Sequence, residues 1–189
     1  MQKIPSIFKR DYEATRLCHD EVVEGCEWVL AGEGVATIKW DGTCCMVRGG
    51  VLYRRHALKR GKTMPAGWEH WSGDPEQKSG HGWRPVGEGP EDQWHRQAWE
   101  NYPQTEDGTY ELIGERIQRD PYGMVGHTFR KHGAIVVPAA DRSFSGLLRL
   151  LRIIRHEGLV FHHPDGRMAK VKRRDFGFPW PGPGRRTSR

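Results

Sequence analysis

One short stretch holds the makings of a covalent nucleophile: Ala36-Thr37-Ile38-Lys39-Trp40-Asp41-Gly42-Thr43-Cys44-Cys45-Met46-Val47. A lysine amine attacks only when neutral, yet an unperturbed lysine titrates near ~10.4. A site that uses it must favour the neutral form by desolvation or by a neighbouring cation. Further along lie groups suited to such a site. Arg54 and Arg55 could grip a phosphate. Glu111 sits among apolar neighbours in Thr109-Tyr110-Glu111-Leu112-Ile113, where a carboxylate is costly unless paired or used. Glu157 opens Glu157-Gly158-Leu159-Val160-Phe161, and Lys170 and Lys172 alternate with Ala169 and Val171.

The elements that must position them can be read from the pattern. Val35 to Ile38 are small or β-branched and predict a buried strand. Asp41-Gly42 predicts a turn, Thr43–Val47 a second strand, and Arg48-Gly49-Gly50 a tight hairpin turn into Val51–Arg55. A hairpin starting at Lys39 and returning by Arg54 or Arg55 would bring nucleophile and cation to one rim, with Arg55 preferred as the inward-facing one. Val22–Leu30 predicts a strand, and Ile4, Ile7 and Phe8 are expected against the domain edge. Residues 60–90 are rich in Gly, Pro, Trp and charge without period and read as a long ordered loop. Pro90–Asn101 predicts a short helix with Trp94, Ala98 and Trp99 on its core face. Gly108–Gly114 predicts a strand carrying Glu111, His127–Gly133 a polar connection, and Ala134–Pro138 a strand. A helix is expected from Ser143 or Ser145 to His156, capped by serine, with Leu147, Leu148 and Leu151 buried. Arg149, Arg152 and Arg155 lie on its other side and read first as a solvated stripe. The two final strands flank a turn at His162-His163-Pro164-Asp165-Gly166, and alternation puts Lys170 and Lys172 on one face.

Composition narrows the class. The chain has 189 residues, a net charge of +6, eight tryptophans and four cysteines. That length suits one domain with a small appendage and a real core. The basic balance favours a polyanionic partner. No apolar run approaches the ~20 residues of a membrane span, and Met1–Arg10 does not resemble a signal peptide. Cys18, Cys26, Cys44 and Cys45 show no metal-ligand spacing. A cytoplasmic protein with reduced thiols is the expectation, without membrane association and monomeric.

The order Lys-x-Asp-Gly, Arg after a hairpin, Glu on a later strand, Glu-Gly-Leu-Val, then Lys-x-Lys resembles the covalent nucleotidyltransferase superfamily of polynucleotide ligases and RNA capping enzymes, over about residues 35–177. Glu111-Leu112-Ile113-Gly114, continuing to Ile117-Gln118, resembles the Glu-x-x-Gly-x-x-Ile-Gln of phage-type nick-sealing RNA ligases. Asp41–Cys45, Tyr110–Gly114 and Lys170–Phe176 look like a family of small stand-alone ATP-dependent 5′–3′ RNA ligases. The resemblance implies an α+β adenylyltransferase domain (nucleotidyltransferase, ATP-grasp-like) over residues 1–178. Two mainly antiparallel sheets would form a nucleotide cleft, with a Trp/Gly/Pro-rich insertion at about 62–102, a basic Pro/Gly tail over 179–189 and no C-terminal oligonucleotide-binding barrel.

It also implies the activity. Lys39 would take AMP from ATP, pass it to an RNA 5′-phosphate, and a 3′-hydroxyl would then displace it. Lys170 and Lys172 would act with Lys39 in catalysis, and Asp41 would assist orientation. Glu111 would bind a ribose hydroxyl, Arg54 or Arg55 the phosphates, and Glu157 would help hold Mg²⁺ or Mn²⁺. Ile38, Phe129 and His132 are the candidates for the adenine slot. Glu115 competes with Glu111 for the central carboxylate. Rival readings are a capping-type guanylyltransferase, a DNA ligase fragment, and a non-catalytic nucleic-acid-binding module.

Overall fold

In the computed structural model, which describes residues 4–74 and 79–181, the chain runs through β1 (Phe8–Arg10), β2 (Cys18–Val22), α1 (Glu27–Leu30), β3 (Val35–Lys39), β4 (Thr43–Arg48), β5 (Val51–Leu58), β6 (Glu69–Asp74) and β7 (Ser79–Pro85). A 3₁₀ turn at Pro90–Asp92 leads into α2 (Gln93–Asn101). Then come β8 (Gly108–Gly114), β9 (His127–Lys131), α3 (Phe144–Ile153), β10 (Gly158–His162), β11 (Met168–Lys172) and a 3₁₀ turn at Arg173–Phe176. The fold is mixed α+β. Its paired strands are antiparallel, and among the described residues its sheets close no barrel. None of the described helices is long and apolar enough to cross a membrane. The basic tail read at 179–189 lies outside the described residues beyond Pro181. Two units divide the chain, Gly42–Lys131 and Ile4–Asp41 with His132 onward.

In the second unit a three-stranded sheet runs in the order β11-β10-β3. Period-two alternation sorts its side chains. Ala36, Ile38, Leu159, Phe161, Ala169 and Val171 join Ile7, Phe8, Leu147 and Leu151 in one apolar core. Helix α3 covers that face. Its Ser143 cap accepts from the Gly146 N–H at 3.0 Å, and Arg173 donates to the carbonyls of Leu151 and Ile154 at its C-terminal end, where a cation complements the helix dipole. The helix ends at Ile153, three residues short of the expected His156, because Ile154 turns to extended backbone. Ile7 and Phe8 are fully in the core rather than at its edge. Val22–Leu30 is no strand: β2 ends at Val22 and Glu27–Leu30 is helical, burying Trp28 and Val29 together. Ala134–Pro138 forms only a single bridge, Thr37 to Val136. Ile135 and Val136 stay exposed there, and Pro138 lacks the N–H that would continue the ladder.

In the first unit six strands run in the order β6-β7-β5-β4-β8-β9. Gly49 and Gly50 close the β4–β5 hairpin with φ of +57° and +73°, the left-handed pair a two-residue turn needs. The long-loop reading of residues 60–90 fails. Strands β6 and β7 form a hairpin there that extends the sheet through β5, and Gly82 is obligatory because a Cβ would lie 2.5 Å from the Trp68 ring. The expected polar connection at His127–Gly133 is mostly strand β9, paired along β8. Helix α2 packs on one face of the sheet, with Ala98 fully buried and Trp94 stacked on His127 at 4.6 Å.

Helix α2 also buries His95, and neither ring nitrogen has a hydrogen-bond partner among the described residues. Burial, against a smaller opposing pull from Asp92, drives its pKa down to about 4. The unfolded chain therefore binds this proton first. The contribution to stability is complete above the ordinary imidazole range and is lost as pH falls towards about 4. Between pH 7.5 and 5 this one group is expected to cost about 2 kcal/mol. Urea denaturation of wild type and His95→Leu at both pH values tests it. Equal acid losses in the two proteins would refute the assignment.

Candidate active site

On the sheet face opposite the core, β3, β10 and β11 present their other set of residues. Gly158 of β10 pairs with Lys39 on one side and Lys172 on the other. Val160 pairs with Thr37 and Lys170 in the same way. Gly158 has no room for a side chain, since a Cβ would lie 1.9 Å from the Val171 carbonyl oxygen. The two lysines therefore flank a bare strand. Glu157, one residue earlier and 6 % exposed, joins them. Lys39 Nζ donates to Oε2 at 2.5 Å and Lys172 Nζ approaches Oε1 at 2.9 Å. Burial raises the Glu157 pKa, but the two ammonium groups outweigh it and hold the carboxyl below its usual range. One carboxylate thus binds two cations, and the cluster keeps a net positive charge suited to phosphate.

The neighbouring residues repeat this pairing. Trp40 packs edge-on against His156 at 4.8 Å, so the positions next to Lys39 and Glu157 also meet. Trp180 Nε1 donates to Asp41 Oδ2 at 2.8 Å, which ties the end of the described chain to the Lys-x-Asp-Gly motif. One row along the same face, Thr37 Oγ1 lies 2.9 Å from His162 Nε2. Burial and the nearby His132 lower the His162 pKa, which favours the neutral imidazole. A hydroxyl and a neutral imidazole beside Val160 can read the edge of a flat heterocycle.

In the other unit, Glu111 accepts from the Gly42 N–H at 3.0 Å, while Gln118 Nε2 donates to the Gly42 carbonyl at 3.2 Å. The N–H and the carbonyl of Gly42 are both held. A Cβ on Gly42 would meet the Leu112 carbonyl oxygen at 2.2 Å, so the motif's glycine is required by close approach. Residues Gln118, Arg119 and Asp120 all have positive φ, a conformation that costs roughly 1–2 kcal/mol per non-glycine residue. The strained turn delivers Gln118 to Gly42.

These placements sort the expected site residues. Lys39, Glu157 and Lys172 meet, and Lys170 shares their face. Strands β3 and β4 are not paired with each other, so the expected hairpin from Lys39 to Arg54 does not form. Arg54 is paired with Cys45 across β4–β5 and so lies on the α2 side of its sheet. Its Nε sits 2.7 Å from the fully buried Asp92, a structural ion pair. Register puts Arg55 on the opposite face, with Cys44 and Glu111. Phe129 lies in the core beneath α2, on the face away from Glu111, and Ile38 faces the core of its own unit. Neither side chain lines an open slot of its own unit, whereas His132 lies near His162. Both Glu157 oxygens are occupied by ammonium groups, so in this arrangement the carboxylate serves as a counter-ion and does not fit a direct metal ligand. From the sequence Thr37 and Val160 read only as strand residues and His162 as part of the turn, whereas His162 ends β10; Thr37 is accessible to a site reading as the residue two before Lys39 on the same strand face. No family model matches the chain, and no curated protein matches its sequence.

Proposed function

We propose that the chain is an ATP-dependent RNA ligase. The observation that carries this reading is the Lys39–Glu157–Lys172 cluster. A lysine at a strand end is held against a second lysine by one buried carboxylate, on the sheet face opposite the core. In the proposed first step, one proton of the Lys39 ammonium passes to Glu157 Oε2, and the neutral amine attacks the α-phosphorus of ATP. The bond to the bridging oxygen breaks, pyrophosphate leaves, and the second N–H proton lost from the attacking nitrogen departs with pyrophosphate or to water. An RNA 5′-phosphate oxygen then attacks the AMP phosphorus, and the lysine leaves as an amine, taking up a proton from Glu157. Finally a 3′-hydroxyl gives its proton to water as it attacks the activated 5′-phosphate, and AMP departs. Lys172, with Lys170 one row away, would meet the charge on the phosphate oxygens in each step. Thr37 and His162 would contact the base. Mg²⁺ would arrive chelated to ATP, since Glu157 is already engaged.

The test is an intact-mass spectrum after incubation with Mg²⁺ and ATP, with GTP in parallel, on wild type and Lys39→Ala. The expected result is a gain of one AMP with ATP alone, absent in the variant. The zero-time mass establishes whether the protein was isolated already adenylylated. A GMP adduct would replace this reading with a capping-type one. Bare protein throughout would reject covalent transfer and leave the binding-module reading.

A further inference from the structure

We infer that the end of the three-stranded sheet carrying Lys39 also seats an RNA strand, with Arg155 and Arg174 gripping its phosphates. The identity of the polyanion as RNA rests on the ligase reading. The placement rests on register and charge. Because Gly158 pairs with both Lys39 and Lys172, the residues just before β10 and just after β11 leave the sheet at the end where Lys39 lies. Those residues are Arg155-His156-Glu157 and Arg173-Arg174.

The cations gathered there are unequally engaged. Lys39 and Lys172 share Glu157. Arg173 turns inward and donates to the carbonyls of Leu151 and Ile154. Of the other carboxylates nearby, Asp175 is buried and lies 3.2 Å from Arg10, and Asp41 accepts from Trp180. Arg155 and Arg174 are exposed, and among the described residues neither side chain has a hydrogen bond or ion pair.

Several other cations of this surface are compensated: Lys9 pairs with Glu21, Arg149 with Asp141 and Arg167 with Asp165. Two uncompensated guanidinium groups beside a positively charged cluster raise the local potential, and an anion relieves it. The surroundings favour a strand over a lone triphosphate. Arg152 and Arg173 each stand 5.6 Å from the Phe178 ring, and Ile153 is 73 % exposed. Aromatic and apolar surface interleaved with guanidinium groups is the composition that holds both the bases and the phosphates of single-stranded nucleic acid.

The experiment is fluorescence anisotropy with a short 5′-phosphorylated RNA across a salt series, on wild type, the double variant Arg155→Ala/Arg174→Ala, and Arg149→Ala as a single-charge control from α3, where Arg149 is paired with Asp141. Melting curves of all three are taken alongside. Arg155→Ala/Arg174→Ala is expected to bind RNA about tenfold more weakly. Its slope of log affinity against log salt should be shallower by about 1.4, two single-strand phosphate contacts' worth. Arg149→Ala should match wild type. The inference is overturned if the double variant keeps wild-type affinity and slope, or if Arg149→Ala loses as much per charge. It is also overturned if the double variant keeps RNA binding and instead needs more ATP to form its adduct, which would make these arginines triphosphate ligands. The AMP adduct on wild type is read from the same preparation. Its absence would reject the ligase reading, while the anisotropy series would still decide the surface.

Discussion

Glu157→Gln is expected to slow AMP transfer onto Lys39 by roughly a hundredfold or more, the scale of losing a positioned acid–base group. The same substitution removes the counter-charge between two ammonium groups that are each only about one-fifth exposed. Breaking a buried pair from one side costs about 3–5 kcal/mol, and some of that is recovered because a lysine can lift its head towards water. A loss of roughly 2–4 kcal/mol is therefore expected at neutral pH. Its pH dependence follows from the lowered Glu157 pKa. The folded carboxylate releases its proton more readily than the unfolded one, so its contribution is present above the ordinary carboxylate range and is lost as pH falls through it. Glu157→Gln should flatten that acid limb. Adding Lys172→Met to Glu157→Gln should return part of the stability and none of the transfer. Denaturation curves and adduct formation in single-turnover experiments separate the two effects. Full transfer in Glu157→Gln would remove the carboxylate from the proposed chemistry.

Asp92→Ala should be the most damaging single change in the other unit. Asp92 is fully buried. Its Oδ1 meets Arg54 at 2.7 Å, and its Oδ2 meets Arg84 at 3.0 Å and the Gly87 N–H at 2.9 Å. Those contacts tie β5 and β7 to the start of α2. Removing the carboxylate strands two arginines that are each about one-fifth exposed, at a cost of about 3–5 kcal/mol. Asp92→Leu combined with Arg54→Met should cost less than the two single changes added together, since no charge is then stranded at that contact. Chemical denaturation of the four proteins gives the coupling. Purely additive losses would show that Arg54 and Asp92 do not act as a pair.

Local strand patterns were more legible in the chain than the register that joins them. Period-two alternation in Met168–Lys172 put Lys170 and Lys172 on one face, and a β-branched run ending in Lys39 gave a strand end. Both are local patterns, and both hold. What needed register was hidden. Arg54 and Arg55 are adjacent, and parity assigns their faces only once β5 is aligned on β4. Asp92, the partner that occupies Arg54, lies 38 residues away in a turn whose sequence advertises only a helix start. Lys39 and Thr43 read as a hairpin because strand, Asp-Gly and strand is a hairpin pattern, yet β3 and β4 take different sheets. Strands β6 and β7 escaped because glycine and tryptophan carry no alternation, and their pairing depends on Gly82 making room for Trp68. The apolar run at 134–138 misled in the opposite sense, since β propensity describes a half-buried surface and this segment leaves Ile135 and Val136 in water.

The order of the chain has a consequence for synthesis. Unit Gly42–Lys131 is contiguous, whereas the other unit is assembled from the segments on either side of it. The Lys39–Glu157 contact spans 118 residues, so a nascent chain emerging from the ribosome can complete the contiguous unit while Lys39 still waits for β10. Until then its amine is an ordinary solvated lysine, with no carboxylate and no second ammonium group to hold it. On the proposed function, reactivity towards nucleotide would be a late property of translation, and a product stopped anywhere before Glu157 would carry Lys39 and remain inert.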